Sequence, residues 1–133
     1  MSAAPTVGIV LVSHSTELAA GTANLAAQVS GGTVTIIAAG GTDDGGLGTS
    51  AAKVEHGLSL ADSGAGVVVL PDLGSAVLTV RAVLEDLGDT TSVLLADAPF
   101  VEGAVAATVT AAAGGDLKAV AAAAEEARHA RKL

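Results

Sequence analysis

The chain has no cysteine, no tryptophan, no tyrosine and one phenylalanine, and only six lysines and arginines among its 133 residues. Each shortage closes off a class of function. Without cysteine there is no disulfide, thiolate metal site or cysteine nucleophile. Without aromatic rings the chain lacks the platforms on which bases and sugars stack. A formal net charge of −8 leaves no basic face for nucleic acid. The acidic excess reads first as a solvated surface and second as a means of selecting a basic partner. Long hydrophobic runs are missing too. Gly64–Leu70 ends at Pro71, far short of the roughly 18 apolar residues of a membrane span. The opening MSAAPTVG has no basic segment leading into an apolar one, so no secretory signal is read. The expectation is a cytoplasmic protein with no membrane association.

What is present is alanine, valine and leucine. Hydrophobic residues make up 50% of the chain, and 17 glycines supply tight turns. The length suits one domain with a sizeable core, so residues 1–133 are read as a single unit. Thr6–Val12, Thr33–Ala39, Ala65–Leu70 and Thr91–Ala96 are short apolar runs rich in β-branched residues, which predict buried strands. Helical spacing appears between them. Leu18, Thr22, Leu25 and Val29 mark one helix over Glu17–Val29, and Ala51, Val54, Leu58 and Ala61 a second from Thr49. Val77, Val80, Leu84 and Leu87 are read as the inward face of a third, Ser75–Leu87. Val101, Val105 and Val109 mark a fourth, ending at Gly114-Gly115. Asp116 is placed to cap a last helix running to the C-terminus. Strands alternating with helices predict an α/β fold: an open parallel four-stranded sheet, order 2-1-3-4, with helices on both faces.

In such a sheet, ligands gather beyond the carboxyl ends of the strands, near the point where strand order reverses. Ser13, His14 and Ser15 follow the first strand. Asp43 and Asp44 follow the second, Asp72 the third and Asp97 the fourth. With the first and third strands adjacent, His14 and Asp72 become neighbours. A carboxylate bonded to one imidazole nitrogen fixes the tautomer and leaves the other nitrogen nucleophilic. The helix that begins after His14 aims free N–H groups at the same spot, which suits a phosphoryl group. Phosphoryl transfer is mostly positioning and charge stabilisation, so little else is required. The plainer reading of Ser13-His14-Ser15 is a polar loop with a helix cap, and the residue pattern alone leaves both open. His56 and His129 sit among charged residues on helices and read as solvated. No P-loop, GxGxxG turn, HExxH pair or GxSxG elbow occurs. No metal and no cofactor are expected, and the Asp43-Asp44 pair reads as turn chemistry.

VGIVLVSHSTELAAG, AAGGTDDGGLGTSAAKVEHGL, VVVLPDLGSAVLTVRAVLE and LLADAPFVEGAVAATVTAAAGGDL, in that order, resemble the mannose-type enzyme IIA family. Within it they are similar to the phosphoryl-transfer subunits of phosphotransferase-system-dependent dihydroxyacetone kinases. The resemblance spans Val7 to about Leu117. It implies that His14 accepts a phosphoryl group from phospho-HPr, on the ring nitrogen farther from the backbone, and that Asp72 orients the ring. The group would then pass to ADP in the kinase's ADP-binding subunit, which works beside a substrate-binding subunit. A homodimer is also implied. Ser15 after His14, and one glycine rather than two in Asp72-Leu73-Gly74-Ser75, point to the dihydroxyacetone branch rather than to sugar transport. A non-catalytic flavodoxin-like interaction module remains the contrasting reading. Some relatives continue into carrier-like domains, and this chain is expected to take its phosphate from a separate protein. Gly74 and Ala76 are expected to leave room for a docking partner. Ser13, Ser15, Thr49, Ser50 and Ser75 either bind phosphate or its carrier, or merely cap helices.

Overall fold

The computed structural model describes residues 4–133. Met1–Ala3, the start of the segment read as lacking a secretory signal and of the 1–133 unit, lie outside the described residues. Strands β1 (Gly8–Ser13), β2 (Ile36–Gly40), β3 (Val67–Pro71) and β4 (Val93–Leu95) form one sheet in the order β2-β1-β3-β4, every neighbour pair parallel. Helices α1 (Thr16–Ser30), α2 (Ala51–Ala61), α3 (Gly74–Leu87), α4 (Phe100–Ala112) and α5 (Leu117–Glu126) complete the alternation. The order expected from sequence is the order found.

Alternating side chains of the central strands feed two cores. Ile9 and Leu11 of β1, with Val68 and Leu70 of β3, pack under α1, α4 and α5. Val10 and Val12, with Val67 and Val69, pack under α2 and α3. All eight of these side chains are buried. Each fully buried Val, Leu or Ile is worth about 1.5–3 kcal/mol, so β1 and β3 are the hydrophobic centre of the fold. That is why these two strands hold a fixed register, Val12 opposite Pro71 at the end that matters below.

Two expectations need correction. α1 and α4 turn alanine rather than leucine or valine toward the sheet, and the inward face of α3 is shifted from the one expected. In α1 the buried residues are Ala19, Thr22 and Ala26, while Leu18, Leu25 and Val29 are 42%, 46% and 55% exposed. In α4 the buried set is Gly103, Ala104, Ala107, Thr108 and Ala111, and Val101 and Val109 face outward. In α3 it is Ala76, Val80 and Val83; Val77 and Leu84 are only half-buried and Leu87 is exposed. Small side chains let a helix lie close on the sheet, and the bulkier residues move to its shoulders. The second correction concerns the last helix, which stops at Glu126 and gives way to a short 3-10 turn, Ala127–His129. There the Arg128 side chain donates to the Glu125 carbonyl and the Asp97 carbonyl, tying the chain back to the loop after β4.

No helix among the described residues is long and apolar enough to cross a membrane.

Candidate functional site

β1 and β3 end side by side, and their register delivers His14 and Asp72 to the same edge. The Asp72 N–H donates to the Val12 carbonyl at 2.9 Å, extending the ladder by one bond. The Asp72 carboxylate then meets four donors. Its Oδ2 accepts from the Ser13 hydroxyl and the His14 backbone N–H, both at 2.9 Å. Its Oδ1 lies 2.9 Å from His14 Nδ1 and accepts from the Leu73 N–H at 2.7 Å. Burial pushes the carboxyl pKa up, but the bonds from the His14 backbone and ring, Ser13 and Leu73 outweigh it and hold Asp72 below the usual carboxylate value.

An ionised Asp72 can only accept, so Nδ1 of His14 must carry the proton shared with it. That leaves the lone pair on Nε2. The Ser75 hydroxyl, 2.5 Å away, is then the donor to Nε2. The imidazole is thus held along one line: carboxylate, ring, hydroxyl. The His14 side chain is 19% exposed and Asp72 only 8%, so the buried end of that line is the carboxylate and the open end is Nε2.

The surrounding elements fix His14 from the backbone as well. Its carbonyl accepts from the Gly48 N–H at 2.9 Å, which anchors the glycine-rich loop after β2. Gly40, at the end of β2, passes so close to α1 that a Cβ there would stand 2.6 Å from the Ser15 carbonyl. Only glycine allows that approach.

The sequence-selected residues divide by what their side chains touch. Ser13 is buried, donates to Asp72 and accepts from the Ser15 N–H at 3.0 Å. Ser15 caps α1 by accepting from the Leu18 N–H at 3.1 Å. Ser50 caps α2 through the Lys53 N–H and bonds Asp43. The Thr49 hydroxyl pairs with Thr79 of α3 at 2.7 Å. Among the described residues, neither Thr49 nor Ser50 hydrogen-bonds to His14. Ser75 does, and Gly74 beside it is open: a Cβ there meets nothing within 4 Å. Ala76 is buried against the sheet rather than lining a rim. His56 and His129 are exposed on their elements.

Through Ser75, the first turn of α3 also reaches Nε2. The first turn of α1 already spends a donor on Ser15, whereas the cap residue of α3, Leu73, offers no side-chain acceptor. The Ala76 N–H already bonds the Leu73 carbonyl at 3.0 Å, but the earlier first-turn N–H groups of a helix have no intrahelical partner. An anion seated beside Ser75 would supply one and would meet the positive end of the α3 dipole. Two features escaped the sequence reading: the Leu73 N–H on Asp72, and the Gly48 N–H on the His14 carbonyl. Both are backbone donors, which carry no residue-type signal.

The family described as "PTS system fructose IIA component" matches residues 8–121. The chain belongs to this family. The mannose-type enzyme IIA resemblance therefore holds across the whole sheet and the site. A phosphoryl donor subunit DhaM of the PEP-dependent dihydroxyacetone kinase 2 of Listeria innocua is 37% identical over 107 residues, covering 77% of this chain and 84% of the relative. The corresponding subunit of Escherichia coli is 40% identical over 119 residues, 86% of this chain, but this chain spans only 25% of that longer protein. A crystal structure of a protein of unknown function, EF1359, superposes with a TM-score of 0.83 at 36% identity, covering 92% of this chain and 95% of that one. A sigma-54 interaction domain protein from Enterococcus faecalis shares the fold, with a TM-score of 0.59 at 15% identity.

Proposed function

We propose that this enzyme IIA-family chain is a phosphohistidine carrier acting as the phosphoryl donor subunit of a dihydroxyacetone kinase. Nε2 of His14 is the covalent site. The observation that carries the reading is the line Asp72–His14–Ser75, which leaves one nitrogen nucleophilic and exposed beside an uncapped helix N-terminus. A loop whose histidine merely completed a cap would not need a buried carboxylate holding its ring.

The chemistry balances without a cofactor. The Nε2 lone pair attacks the phosphorus of a phosphohistidine on the donor protein, HPr by the family resemblance. The new N–P bond forms as the donor's N–P bond breaks, and that electron pair returns to the donor ring. His14 then carries Nδ1–H and Nε2–P, and its ring is cationic. Asp72 balances that charge while keeping the Nδ1 proton. Ser75 gives up its bond to Nε2 and turns to a phosphoryl oxygen, alongside the first N–H groups of α3. In the second transfer, a terminal phosphate oxygen of ADP attacks, the His14 N–P bond breaks and ATP forms in the kinase's ADP-binding subunit, next to its substrate-binding partner subunit.

The names of the relatives favour the dihydroxyacetone kinase over a sugar-transport system. In this reading the chain is the phosphotransferase subunit of a cytoplasmic relay, works as a homodimer, and holds the phosphate on residues Ser75 and Gly74, with Ser13 and Ser15 supporting the loop. Thr49 and Ser50 hold the neighbouring loop to α2 and α3.

The test is reconstitution. Phosphoenolpyruvate, enzyme I and HPr should label the chain, and a chase with the ADP-loaded kinase subunit should remove the label and form ATP. Labelling without discharge to that subunit would exclude the dihydroxyacetone role. Discharge to a sugar permease component would assign the chain to transport instead.

A further inference from the structure

The line from Asp72 through His14 ends on a hydroxyl, and that hydroxyl has a chemistry of its own. Ser75 Oγ lies 2.5 Å from His14 Nε2, and His14 Nδ1 lies 2.9 Å from Asp72 Oδ1. With the Nδ1 proton shared with the carboxylate, Nε2 is a base and the Ser75 O–H donates to it. A serine is a weak nucleophile until a neighbouring base takes its proton. That base needs a third group to hold its tautomer and to face the imidazolium that forms. All three parts are in hydrogen-bond contact here. Helix capping does not explain the contact, because the cap residue of α3 is Leu73 and Ser75 is the exposed second residue of the helix. The carrier step does not explain it either, since the Ser75 bond to Nε2 has to break before an N–P bond can form.

The backbone beside Ser75 supplies a second, independent observation. The Leu73 N–H is taken by Asp72 and the Ala76 N–H by the Leu73 carbonyl. The Gly74 and Ser75 N–H groups have no such partner among the described residues. A nucleophile's own N–H together with a neighbour's is the arrangement that receives an oxyanion. Both donors stand at the positive end of the α3 dipole. Gly74 has no side chain to cover them, and a Cβ there would meet nothing within 4 Å. From Leu73 and Gly74 a cavity of ≈ 500 Å³ runs between α3 and the end of β4. Val77, Leu84 and Leu95 are among its lining and offer apolar contact to a short acyl chain.

We propose that the unphosphorylated chain is also a slow esterase for small esters of short acyl chains, with Ser75 as nucleophile, His14 as general base and acid, and Asp72 as the carboxylate that orients the ring. Ser75 Oγ attacks the ester carbonyl carbon, and its proton passes to Nε2. The carbonyl oxygen takes the negative charge and is met by the Gly74 and Ser75 N–H groups. The carbon–oxygen bond to the alcohol then breaks, the alcohol leaves with the proton from Nε2, and Ser75 holds the acyl group. Water repeats the sequence: it gives a proton to Nε2, the new bond to carbon forms, the acid leaves and Ser75 recovers its proton. This activity goes beyond the carrier reading and does not rest on it. The two compete for one nitrogen, because an Nε2 that carries phosphorus cannot take a proton.

The probe is p-nitrophenyl acetate with no phosphoryl donor present, so the failure of this assignment and the failure of the carrier role are distinct. The chain should release p-nitrophenolate in a burst that approaches one equivalent, followed by slower turnover as the acyl form accumulates. Ser75→Ala and His14→Ala should each slow the burst at least about a hundredfold. His56→Ala, exposed on α2, should keep it. Peptide mass spectrometry should place the acetyl group on Ser75. Phenylmethylsulfonyl fluoride, applied to the unaltered chain so that no variant's folding enters, should modify Ser75 and abolish the burst. No burst in the wild type, a full burst in Ser75→Ala of native circular dichroism spectrum, equal loss in His56→Ala, acetyl found on His14 in place of Ser75, or a Ser75 left unmodified by the sulfonyl fluoride would each overturn the assignment.

Discussion

Replacing Asp72 by asparagine keeps the shape and removes the charge, so it isolates what the carboxylate does. Four donors converge on that group: the Ser13 hydroxyl, the His14 N–H, His14 Nδ1 and the Leu73 N–H. An asparagine amide accepts at one oxygen and donates at its nitrogen. With the oxygen toward Nδ1 and Leu73, the NH2 group faces Ser13 and the His14 N–H. The Ser13 hydroxyl can rotate and accept. The His14 N–H cannot, so one backbone donor is stranded against another. Bonds to a charged acceptor are worth about 1.5–3 kcal/mol, and a stranded buried donor costs about 1–3 kcal/mol. A loss of about 2–3 kcal/mol at neutral pH follows.

The pH dependence supplies the sign. The native carboxyl titrates below its unfolded value. Its contribution is therefore present above the unfolded carboxylate range and disappears as pH falls through the lowered native value. Urea unfolding of Asp72→Asn and wild type should show a constant gap above that range and a narrowing gap below it. Phosphoryl transfer should slow about a hundredfold, because the cationic phosphorylated ring loses its counter-charge and its fixed tautomer. A wild-type transfer rate, or a stability gap indifferent to pH, would refute the reasoning.

Ser75→Ala removes the donor at Nε2 and should slow transfer about tenfold, the worth of one hydrogen bond in the transition state, with stability changed by less than about 0.5 kcal/mol; stopped-flow phosphoryl exchange checks the first and urea unfolding the second. Gly74→Trp projects a large side chain into open space beside Nε2, so the chain should fold with an unchanged melting temperature but fail in transfer from donor and to acceptor alike, as labelling and chase assays would record.

The strands were legible because β1 and β3 are apolar runs buried on both faces, and continuous Val, Ile and Leu has few other uses in a chain of this length. Their edges were less so. The fourth strand shrinks from Thr91–Ala96 to Val93–Leu95, since β4 pairs with β3 alone at the sheet's edge. The inward faces of α1 and α4 were misread because periodicity ranks residues by hydrophobicity, while on α3 Val80 was placed correctly and Val83 joins it in place of Leu87. Ala19, Ala26, Ala104 and Ala107 won the core by being small enough to approach it. The pairing of His14 with Asp72 was legible because parallel topology puts the ends of adjacent strands together. Ser75 was in view only as one of several hydroxyls, and its contact with Nε2 depends on where α3 begins. Thr49 and Ser50 share that composition, but their bonds to Thr79 and Asp43 turn them away from the imidazole. The N-terminus of α1 was placed beside the ring by adjacency in sequence; the contact of Ser75 with Nε2 brings the N-terminus of α3 there as well.

The central claim is that Nε2 of His14 takes the phosphoryl group while Nδ1 stays bonded to Asp72. Phosphorus NMR of the chain labelled with phosphoenolpyruvate, enzyme I and HPr measures this directly. The account predicts a single acid-labile phosphohistidine, substituted at Nε2 and absent in His14→Ala. A signal from the Nδ1 isomer, or undiminished labelling of His14→Ala, would contradict it.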